Sequence, residues 1–466
     1  MRSDSTICAL ATPGTGALAV IRISGPAAIR IADGIFFPAT SGKDLQNQSP
    51  NTIHFGTIQD QKKVIDEVLV SLFKAPHSYT GEDSIEISCH GSPYIQQKIL
   101  ELLVSAGAQP ARPGEFTQRA FLNGKMDLSQ AEAVADLIAA ESEGAHKVAL
   151  QQLRGGFSDT LKSLRDQLLR FISYIELELD FSEEDVEFAD RNQLVKLVKE
   201  ISELVNELIN SFQLGNVLKN GVPVAIIGRP NVGKSTLLNS ILNEERAIVS
   251  EIEGTTRDSI EDTINLDGVN FRFIDTAGIR ETADTIENLG IRRTYQKIKL
   301  ASIILLLAEA SDNPELIKRS LDAIREQVAG DSKQLVLVLN KSDQISEPQL
   351  QKLQKKLVFK ENEQVISISA ENRENIDGLI SLLLEVVNLG SIKHQDVIIS
   401  NIRHYNALKS AAESLLRVSE GLASALPSDL LAQDIRETLH YLGEITGEVT
   451  TDEILTNIFK NFCIGK

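Results

Sequence analysis

The chain has 466 residues and a formal net charge of −18 at pH 7. A length of this order predicts about two to four domains. The acidic balance argues against a surface that is basic throughout, as in a protein that coats nucleic acid, but leaves room for one local basic patch.

Neither the cysteines nor the apolar runs indicate an exported or membrane-spanning protein. Cys8, Cys89 and Cys463 are scattered without the pairing of a metal site, which is typical of reduced thiols in the cytosol. No apolar run approaches the roughly 18 residues that cross a bilayer. The N-terminus lacks a basic region followed by a long apolar core. We therefore expect a soluble, cytoplasmic protein with no membrane partner.

The first 120 residues are predicted to form a mixed α/β domain. Short alternating or continuous apolar runs indicate strands, and apolar residues repeating every three or four positions indicate a helix. Strands are predicted at 18–23, 67–73 and 84–88, and a helix is predicted at 94–104.

Helical periodicity follows in two separate parts of the chain. Ser129 stands three residues before Glu132, the spacing of a capping box, and a stretch rich in Ala, Leu and Glu continues to about residue 212. The helical pattern returns at 403–462, which predicts a discontinuous helical domain. Residues 176–190 hold eight carboxylates and no basic residue. A solvated helix end or hinge is the default interpretation, and contact with a basic partner is the alternative.

Short apolar runs alternate with polar helical stretches between the two helical parts. These runs lie at 224–227, 271–274, 303–307, 335–339 and 365–368. Nearly continuous apolarity in such short strands indicates burial on both faces, hence a mainly parallel sheet with flanking helices. The predicted fold class is multidomain, α/β and all-α. The predicted boundaries are 1–120 for the N-terminal α/β domain, 121–215 and 391–466 for the helical domain, and 216–390 for the domain inserted into it.

Residues 228–235, Gly-Arg-Pro-Asn-Val-Gly-Lys-Ser, fit the pattern G-x-x-x-x-G-K-[ST] directly after a predicted strand. Glycines let backbone N–H groups converge on a phosphate chain. Lys234 would place a positive charge at the β- and γ-phosphates, and Ser235 would offer a hydroxyl to Mg²⁺. The pattern predicts a P-loop that opens a helix.

Two further segments indicate the Mg²⁺ and γ-phosphate contacts of a Ras-like GTPase. Asp275 follows the predicted strand 271–274 and is placed to reach the Mg²⁺ shell through water. Gly278 would offer a backbone N–H to the γ-phosphate. Thr256, in the polar loop between the P-loop and Asp275, would close onto Mg²⁺, although in isolation it would be an ordinary loop threonine.

Asn340-Lys341-Ser342-Asp343 follows the predicted strand 335–339 and indicates guanine specificity. The Asp343 carboxylate would accept hydrogen bonds from guanine N1–H and from the exocyclic amine, whereas adenine would leave this charge unpaired. Ser369 and Ala370, after the predicted strand 365–368, would add a backbone contact to the guanine oxygen. GTP is the predicted ligand.

The water-orienting glutamine of Ras-like enzymes is replaced here by Ile279. Because an aliphatic side chain cannot position water, the orienting group must lie elsewhere, and Glu281, Asp284 and Glu287 are candidates. No arginine is placed as a finger, so another cation must neutralise charge between the β- and γ-phosphates. Asn231 would suit a monovalent ion at this point; a hydrogen bond that stabilises the loop is the alternative.

These motifs and their flanks resemble the tRNA-modification GTPase family called MnmE or TrmE, over essentially the entire chain. The resemblance also rests on Val-Ile-Arg-Ile-Ser-Gly at 20–25 and Tyr-Thr-Gly-Glu-Asp at 79–83. Its most specific signatures are Pro-Gly-Glu-Phe-Thr-Gln-Arg-Ala-Phe-Leu-Asn-Gly-Lys at 113–125 and Cys-Ile-Gly-Lys at 463–466.

The resemblance implies a folate-binding N-terminal domain that also forms a homodimer, a helical domain and an inserted P-loop GTPase domain. Arg22, Glu82, Lys125 and Lys466 would then bind a tetrahydrofolate derivative, the 5-formyl or methylene form. Without the resemblance, each would be an ordinary surface charge. Cys463 would either take part in the chemistry or serve as a packing residue whose motif carries Lys466 into the folate pocket.

The resemblance also implies how the catalytic gap is filled. K⁺ would occupy the position of an arginine finger, bound by Asn231, Ser250, Ile252 and Thr255, and Glu287 would be the catalytic acid that orients water. Mg²⁺ would be held by Ser235 and Thr256. The full set of implied GTP contacts is Asn231, Val232, Gly233, Lys234, Ser235, Thr236, Ser250, Glu251, Ile252, Glu253, Gly254, Thr255, Thr256, Asp275, Thr276, Ala277, Gly278, Asn340, Lys341, Asp343, Ser369 and Ala370.

The activity implied by the resemblance is modification of tRNA at C5 of the wobble uridine, position 34, to the aminomethyl or carboxymethylaminomethyl form. An FAD-dependent partner, MnmG in this family, would join the chain in a hetero-oligomer, and the folate would supply the one-carbon unit. The residues themselves indicate only a GTP switch. The alternative is an RNA- or ribosome-binding assembly GTPase without modification chemistry, although such proteins usually append a small RNA-binding module and residues 403–462 are predicted to be helical only. A third possibility is a folate-binding scaffold whose GTPase regulates an unrelated partner.

Overall fold

The computed structural model describes residues 5–12, 14–40, 44–156, 158–180, 191–242, 248–249, 262–274, 298–328, 333–360, 362–387, 398–424, 426–460 and 462–465. The chain divides into two compact units. Unit 1 comprises Met1–Ile138, Leu150–Val205 and Asn406–Lys466; unit 2 comprises Ala139–Ala149 and Asn206–Tyr405. The predicted boundaries after residues 120, 215 and 390 are finer than this division and stay predictions.

In the described part of unit 1, seven strands form one sheet in the order β3-β4-β5-β6-β2-β1-β7. All neighbours are antiparallel except β1 and β7. The strands are β1 Ile7–Leu10, β2 Leu18–Ser24, β3 Phe36–Pro38, β4 Thr52–Asp60, β5 Lys63–Phe73, β6 Ser84–His90 and β7 Gln109–Pro110. The helices of this region are α1 Ala28–Asp33, α2 Pro93–Ser105 and α3 Glu115–Leu122. The predicted strands and helix of this domain are confirmed.

The two faces of this sheet differ because side chains alternate along each strand. One face carries Ile21, Val70 and Ile87, all fully buried in a core shared with α1 and α2. The other carries an exposed apolar row of four side chains on β3, β4 and β5. These are Phe37, Ile53, Phe55 and Leu69, between 47% and 67% exposed.

The helical parts of the chain contain α4 Leu128–Ile138, α5 Glu143–Leu153, α6 Ser158–Asp180, α7 Arg191–Asn220, α12 Ile402–Ala423, α13 Ser428–Thr446 and α14 Asp452–Phe459. The helices predicted on both sides of the inserted domain are therefore confirmed. Within the described ranges, no helix combines the length and apolarity needed to cross a membrane.

The capping box at Ser129 and Glu132 was a wrong prediction. The observed box lies two residues earlier: Gln130 N donates to Asp127 Oδ1, and Asp127 N donates to Gln130 Oε1, each at 2.9 Å. Ser129 lies inside α4, fully buried, and its hydroxyl contacts Asp127 Oδ1 and Ser158 Oγ. Ser129, which the spacing predicts as the N-cap, therefore contacts the start of α6 instead of capping α4.

The described part of unit 2 also contains a seven-stranded sheet, in the order β14-β13-β12-β8-β11-β10-β9. From β14 to β11 all neighbours are parallel, and β10 and β9 continue the sheet antiparallel. The strands are β8 Val222–Gly228, β9 Ile248–Val249, β10 Asp262–Leu266, β11 Val269–Phe273, β12 Ile303–Glu309, β13 Gln334–Asn340 and β14 Glu363–Ser367.

Helices α8 Lys234–Leu242, α9 Pro314–Gln327, α10 Glu347–Gln354 and α11 Ile376–Val386 accompany this sheet, with a 3₁₀ turn at Ser342–Gln344. Two apolar cores, one on each face, surround β8, β12 and β13. The prediction of a mainly parallel sheet with flanking helices is confirmed, and each predicted strand lies within about two residues of its observed position.

Unit 2 includes the first turns of α5, although α5 precedes the inserted region in the chain. Gly144 N approaches Gly268 O, at the turn between β10 and β11, at 3.4 Å. Val148 packs against Leu218 of α7 and Ile398. The pattern of helical residues gave no indication of this grouping.

Candidate functional site

The P-loop joins the end of β8 to the start of α8 through a backbone that only certain residues can adopt. Asn231 and Gly233 have positive φ angles of 65° and 94°. A Cβ atom at Gly228 would lie 2.6 Å from Leu307 O on the neighbouring strand β12. These constraints explain the glycines at both ends of the motif, because the loop has no room for side chains there.

Lys234, the first residue of α8, lies across this loop. Its Nζ donates to Gly228 O and Arg229 O, each at 2.8 Å. Ser235 and Thr236 are exposed in the first turn of α8. An ammonium group and the N–H groups of a helix N-terminus therefore lie together, an arrangement that favours binding of a phosphate chain.

Asn340, the last residue of β13, joins the P-loop to the loop after β14. Its Nδ2 donates to Val232 O at 2.8 Å, and its Oδ1 accepts from Ala370 N at 2.9 Å. The residue is only 2% exposed. A second bond from the Ser240 hydroxyl of α8 to Ala370 O, 2.6 Å long, fixes the same loop. Asn340 and Ser240 thus fix the loop after β14 relative to the P-loop and α8.

The other residues of the guanine motif lie directly beyond β13. Lys341 has a positive φ of 60°, and its ammonium pairs with the carboxylate of Glu309 at the end of β12. Asp343 is exposed within the 3₁₀ turn, and Ser342 N donates to Ile368 O at 3.1 Å. Ser369 is fully buried, with its hydroxyl accepting from Asn372 N. The structure therefore joins the P-loop to the loop after β14 through Asn340, and joins Lys341 to the end of β12. The contacts of these residues with a nucleotide stay predictions.

The remaining predicted nucleotide and ion contacts lie outside the described residues, as does Lys466 of the predicted folate site. They are Ser250, Glu251, Ile252, Glu253, Gly254, Thr255, Thr256, Asp275, Thr276, Ala277, Gly278 and Glu287.

Arg22 of β2 marks a second polar site, in unit 1. Its Nε donates to Glu86 Oε1 at 2.9 Å, and its guanidinium carbon lies 5.3 Å and 5.7 Å from the ring centres of Tyr79 and Phe116. Its Nη1 also donates to Gly465 O at 3.3 Å, although Gly465 follows 443 residues later in the chain. The C-terminal tail therefore reaches the predicted folate residue Arg22.

Glu82 belongs to a partly buried network of charges beside Arg22. Its carboxylate accepts from Ser24 Oγ at 2.8 Å and from Arg119 Nη1 at 3.2 Å. Arg119 Nη2 also donates to Glu115 Oε1 at 3.0 Å. Burial raises the pKa of Glu115, but the N–H of Arg112 and the Arg119 guanidinium outweigh it, so the net pKa lies below its ordinary value. One buried guanidinium therefore contacts both carboxylates.

Lys125 and the C-terminal tail complete the described part of this region. Lys125 Nζ donates to Pro76 O at 3.0 Å. The Lys125 side chain also passes close to Gly81, where an added Cβ atom would lie 3.4 Å from Lys125 Cγ and Cδ. Gly114 N donates to Cys463 O at 3.4 Å, while the Cys463 side chain is exposed. Both the loop after β5 and the tail are therefore held through backbone groups.

Several residues of these sites were missed by the sequence reasoning, among them Arg119 and Glu309. Arg119 lies within the 113–125 motif, four residues after Glu115, and the spacing of an acidic and a basic residue on one helix face could have indicated the pair. Glu309 belongs to no nucleotide motif. The sequence carries no signal for its contact with Lys341, because the parallel pairing of β12 with β13 creates this contact.

The comparisons with known proteins cover both units. The family model described as MnmE helical domain matches residues 128–463, and the model described as GTP-binding protein TrmE N-terminus matches residues 6–125. The tRNA modification GTPase MnmE of Bacteroides thetaiotaomicron is 56% identical over 466 residues, with 100% of each chain covered. The protein of that name from Bacteroides fragilis strain YCH46 is also 56% identical over 466 residues, with 100% of each chain covered.

A relative from Flavobacterium psychrophilum, likewise named tRNA modification GTPase MnmE, is 53% identical over 465 residues, with 99% of each chain covered. These matches extend across the N-terminal sheet, the helical parts and the P-loop region alike. With family models over both regions and relatives aligned from end to end, the chain belongs to the MnmE (TrmE) family.

Proposed function

We propose that this chain is a K⁺-activated GTPase that takes part in modifying the wobble uridine of certain tRNAs. One observation carries the proposal: a P-loop and a guanine motif, held together by Asn340, lie in a chain that aligns from end to end with relatives named tRNA modification GTPase MnmE. The cytoplasm is the proposed location.

In the proposed nucleotide site, the P-loop N–H groups and Lys234 bind the phosphates, and Asp343 selects guanine. Ser235 and Thr256 would hold Mg²⁺. K⁺ would be held by Asn231, Ser250, Ile252 and Thr255, and would supply positive charge between the β- and γ-phosphates. The exposed position and positive φ of Asn231 fit a side chain that faces a ligand instead of the protein core. Glu287 is the proposed group that orients water.

In the proposed folate site, Arg22, Glu82, Lys125 and Lys466 bind a tetrahydrofolate derivative that supplies the one-carbon unit when bound. A pterin ring offers N–H donors to a carboxylate, and its glutamate tail requires cations. The charge network fits this requirement, because hydrogen bonds from Arg119 and Ser24 orient the Glu82 carboxylate. Arg22, packed against two aromatic rings, is oriented as well.

The proposed assembly is a homodimer through the N-terminal domains, joined by an FAD-dependent partner and tRNA. The exposed apolar row Phe37, Ile53, Phe55 and Leu69 supports the homodimer, since apolar patches of this kind on a sheet are commonly covered by a partner. Within the assembly, C5 of uridine 34 would be converted to the aminomethyl or carboxymethylaminomethyl form. GTP hydrolysis would drive conformational change, because phosphate chemistry forms no bond to the uridine.

Mass spectrometry of tRNA nucleosides tests this proposal, in a strain lacking the gene, the same strain with the gene restored, and one restored with Lys234→Ala. We expect the C5-aminomethyl-type uridines to disappear, to return with the wild-type gene, and to stay absent with the variant. An unchanged nucleoside profile would favour the assembly-GTPase alternative. Equal hydrolysis rates in K⁺ and Na⁺ would remove K⁺ from the proposal and leave the rest intact.

A further inference from the structure

The turn that follows β12 touches both loops of the nucleotide site and belongs to no nucleotide motif. It consists of residues 309–312. Asp312 N donates to Glu309 O at 3.0 Å, and Glu309 N donates back to Asp312 Oδ2 at 3.2 Å. These two bonds close the turn and fix where both acidic side chains lie.

The Glu309 side chain contacts the guanine loop. Glu309 and Asn340 are partners in the parallel pairing of β12 and β13, so Lys341 begins directly beside the end of β12. The Lys341 ammonium donates to the Glu309 carboxylate, and the two side chains are 29% and 26% exposed. The pair is thus partly buried, where solvent screens it less than at an open surface.

The Asp312 side chain faces the P-loop. Its Oδ1 lies 3.7 Å from Nη1 of Arg229, the residue after the first glycine of that loop. Because the Arg229 side chain is 58% exposed, this contact is the weaker of the two.

We infer that Glu309 is a positioning residue for the guanine nucleotide, acting through Lys341; this inference rests on the proposed GTPase function. A free lysine side chain samples many rotamers and loses that freedom when its ammonium is fixed. Pairing with Glu309 holds the ammonium in place before the nucleotide arrives. The apolar stem of Lys341 is then pre-organised to lie against the flat face of a base, which lowers the entropy lost on binding.

Dissociation of the fluorescent nucleotide mant-GDP from the full-length protein, followed by stopped flow, measures this role. We expect Glu309→Gln to speed dissociation about fivefold while kcat at saturating GTP changes less than about twofold, because base contacts contribute equally to ground and transition states. Glu309→Asp keeps the charge but moves the carboxylate back by one methylene, so its dissociation rate should lie between those of the wild type and Glu309→Gln. Glu315→Gln, exposed on α9, is the matched control and should have no effect.

A double-mutant cycle separates positioning through Lys341 from a general structural role. In a Lys341→Met background, the added Glu309→Gln change should no longer alter dissociation. Independent, additive effects of the two changes, or a wild-type rate in Glu309→Gln alone, would overturn the inference. A wild-type protein that fails to bind mant-GDP would instead overturn the proposed GTPase function on which the inference rests.

Discussion

The nucleotide site of unit 2 and the Arg22 site of unit 1 are built in different ways. In unit 2, the described residues lie on loops that directly follow β8, β12, β13 and β14, whose carboxyl ends meet at one edge of the sheet. The loops are joined mainly by uncharged bonds to backbone, as at Asn340. In unit 1, the site is assembled from β2, the loop after β5, α3 and a tail 443 residues from Arg22, and it is joined mainly by charges.

Because they are built differently, the two sites should respond to different perturbations. Uncharged bonds to backbone do not titrate, so the nucleotide loops should depend on side-chain shape. Buried charges depend on the presence and ionisation of every partner. Four experiments test this contrast.

The largest expected effect is that of Arg119→Met in unit 1. The guanidinium is 4% exposed and contacts two carboxylates, so its removal leaves Glu82 and Glu115 without their buried cation. Urea unfolding should show a loss of about 3–5 kcal/mol for this unit. Arg112→Met is the control: its guanidinium also contacts Glu115 but is 78% exposed, so a loss below about 1 kcal/mol is expected. Equal losses in the two variants would contradict the idea of a buried charge network.

The next effect is that of Asn340→Ala in unit 2. The change removes the amide that bonds Val232 O and Ala370 N at buried positions. This loss should cost about 2–3 kcal/mol of binding free energy and so weaken GDP binding about 30- to 150-fold. Isothermal titration with GDP measures the affinity. Asn362→Ala removes a bond of similar length to Lys333 O, between the residues that precede β14 and β13, and should leave GDP binding unchanged. A GDP affinity that stays at the wild-type value in Asn340→Ala would show that the loops hold together without it.

The third experiment uses pH to separate the two sites. The folded-state pKa of Glu115 lies below its ordinary value of 4.5. The ionised carboxylate therefore stabilises the fold fully above pH 4.5, and this stability is lost as the pH falls through the lower folded pKa.

Glu115→Gln should be less stable than wild type at neutral pH and should lose less stability on acidification, measured as urea midpoints across the acidic range. Asn340→Ala should keep the wild-type dependence, since an amide does not titrate. A Glu115→Gln variant with the full wild-type acid slope would place the responsible group elsewhere.

The smallest expected effect is that of Cys463→Ser. The side chain is exposed, and the tail is held through the Cys463 carbonyl, so thermal stability should change by no more than about 0.5 kcal/mol. A larger loss of stability would mean that the Cys463 thiol packs against neighbouring side chains. With stability unchanged, the nucleoside assay then reports whether the thiol takes part in chemistry or only carries the tail.

The sequence predicted the parallel sheet of unit 2 well because fully buried strands appear as short continuous apolar runs, as in Ile303–Glu309. It placed the P-loop for the same reason, since the motif directly follows such a run. It misplaced the cap of α4, because Asp127 and Ser129 both suit a cap and only packing near α6 decides between them. It did not indicate that the first turns of α5 belong with unit 2.

The amino-acid sequence alone predicts the local features of this protein: the P-loop, the guanine motif, the order of strands and helices, and the family resemblance. These depend on neighbouring residues and on apolar periodicity, which a linear chain displays directly. The folded chain is needed to identify the distant groups that meet, such as Arg22 with Gly465, Glu82 with Arg119, and Glu309 with Lys341. Such contacts arise from strand pairing and buried charge, and no spacing along the chain encodes them.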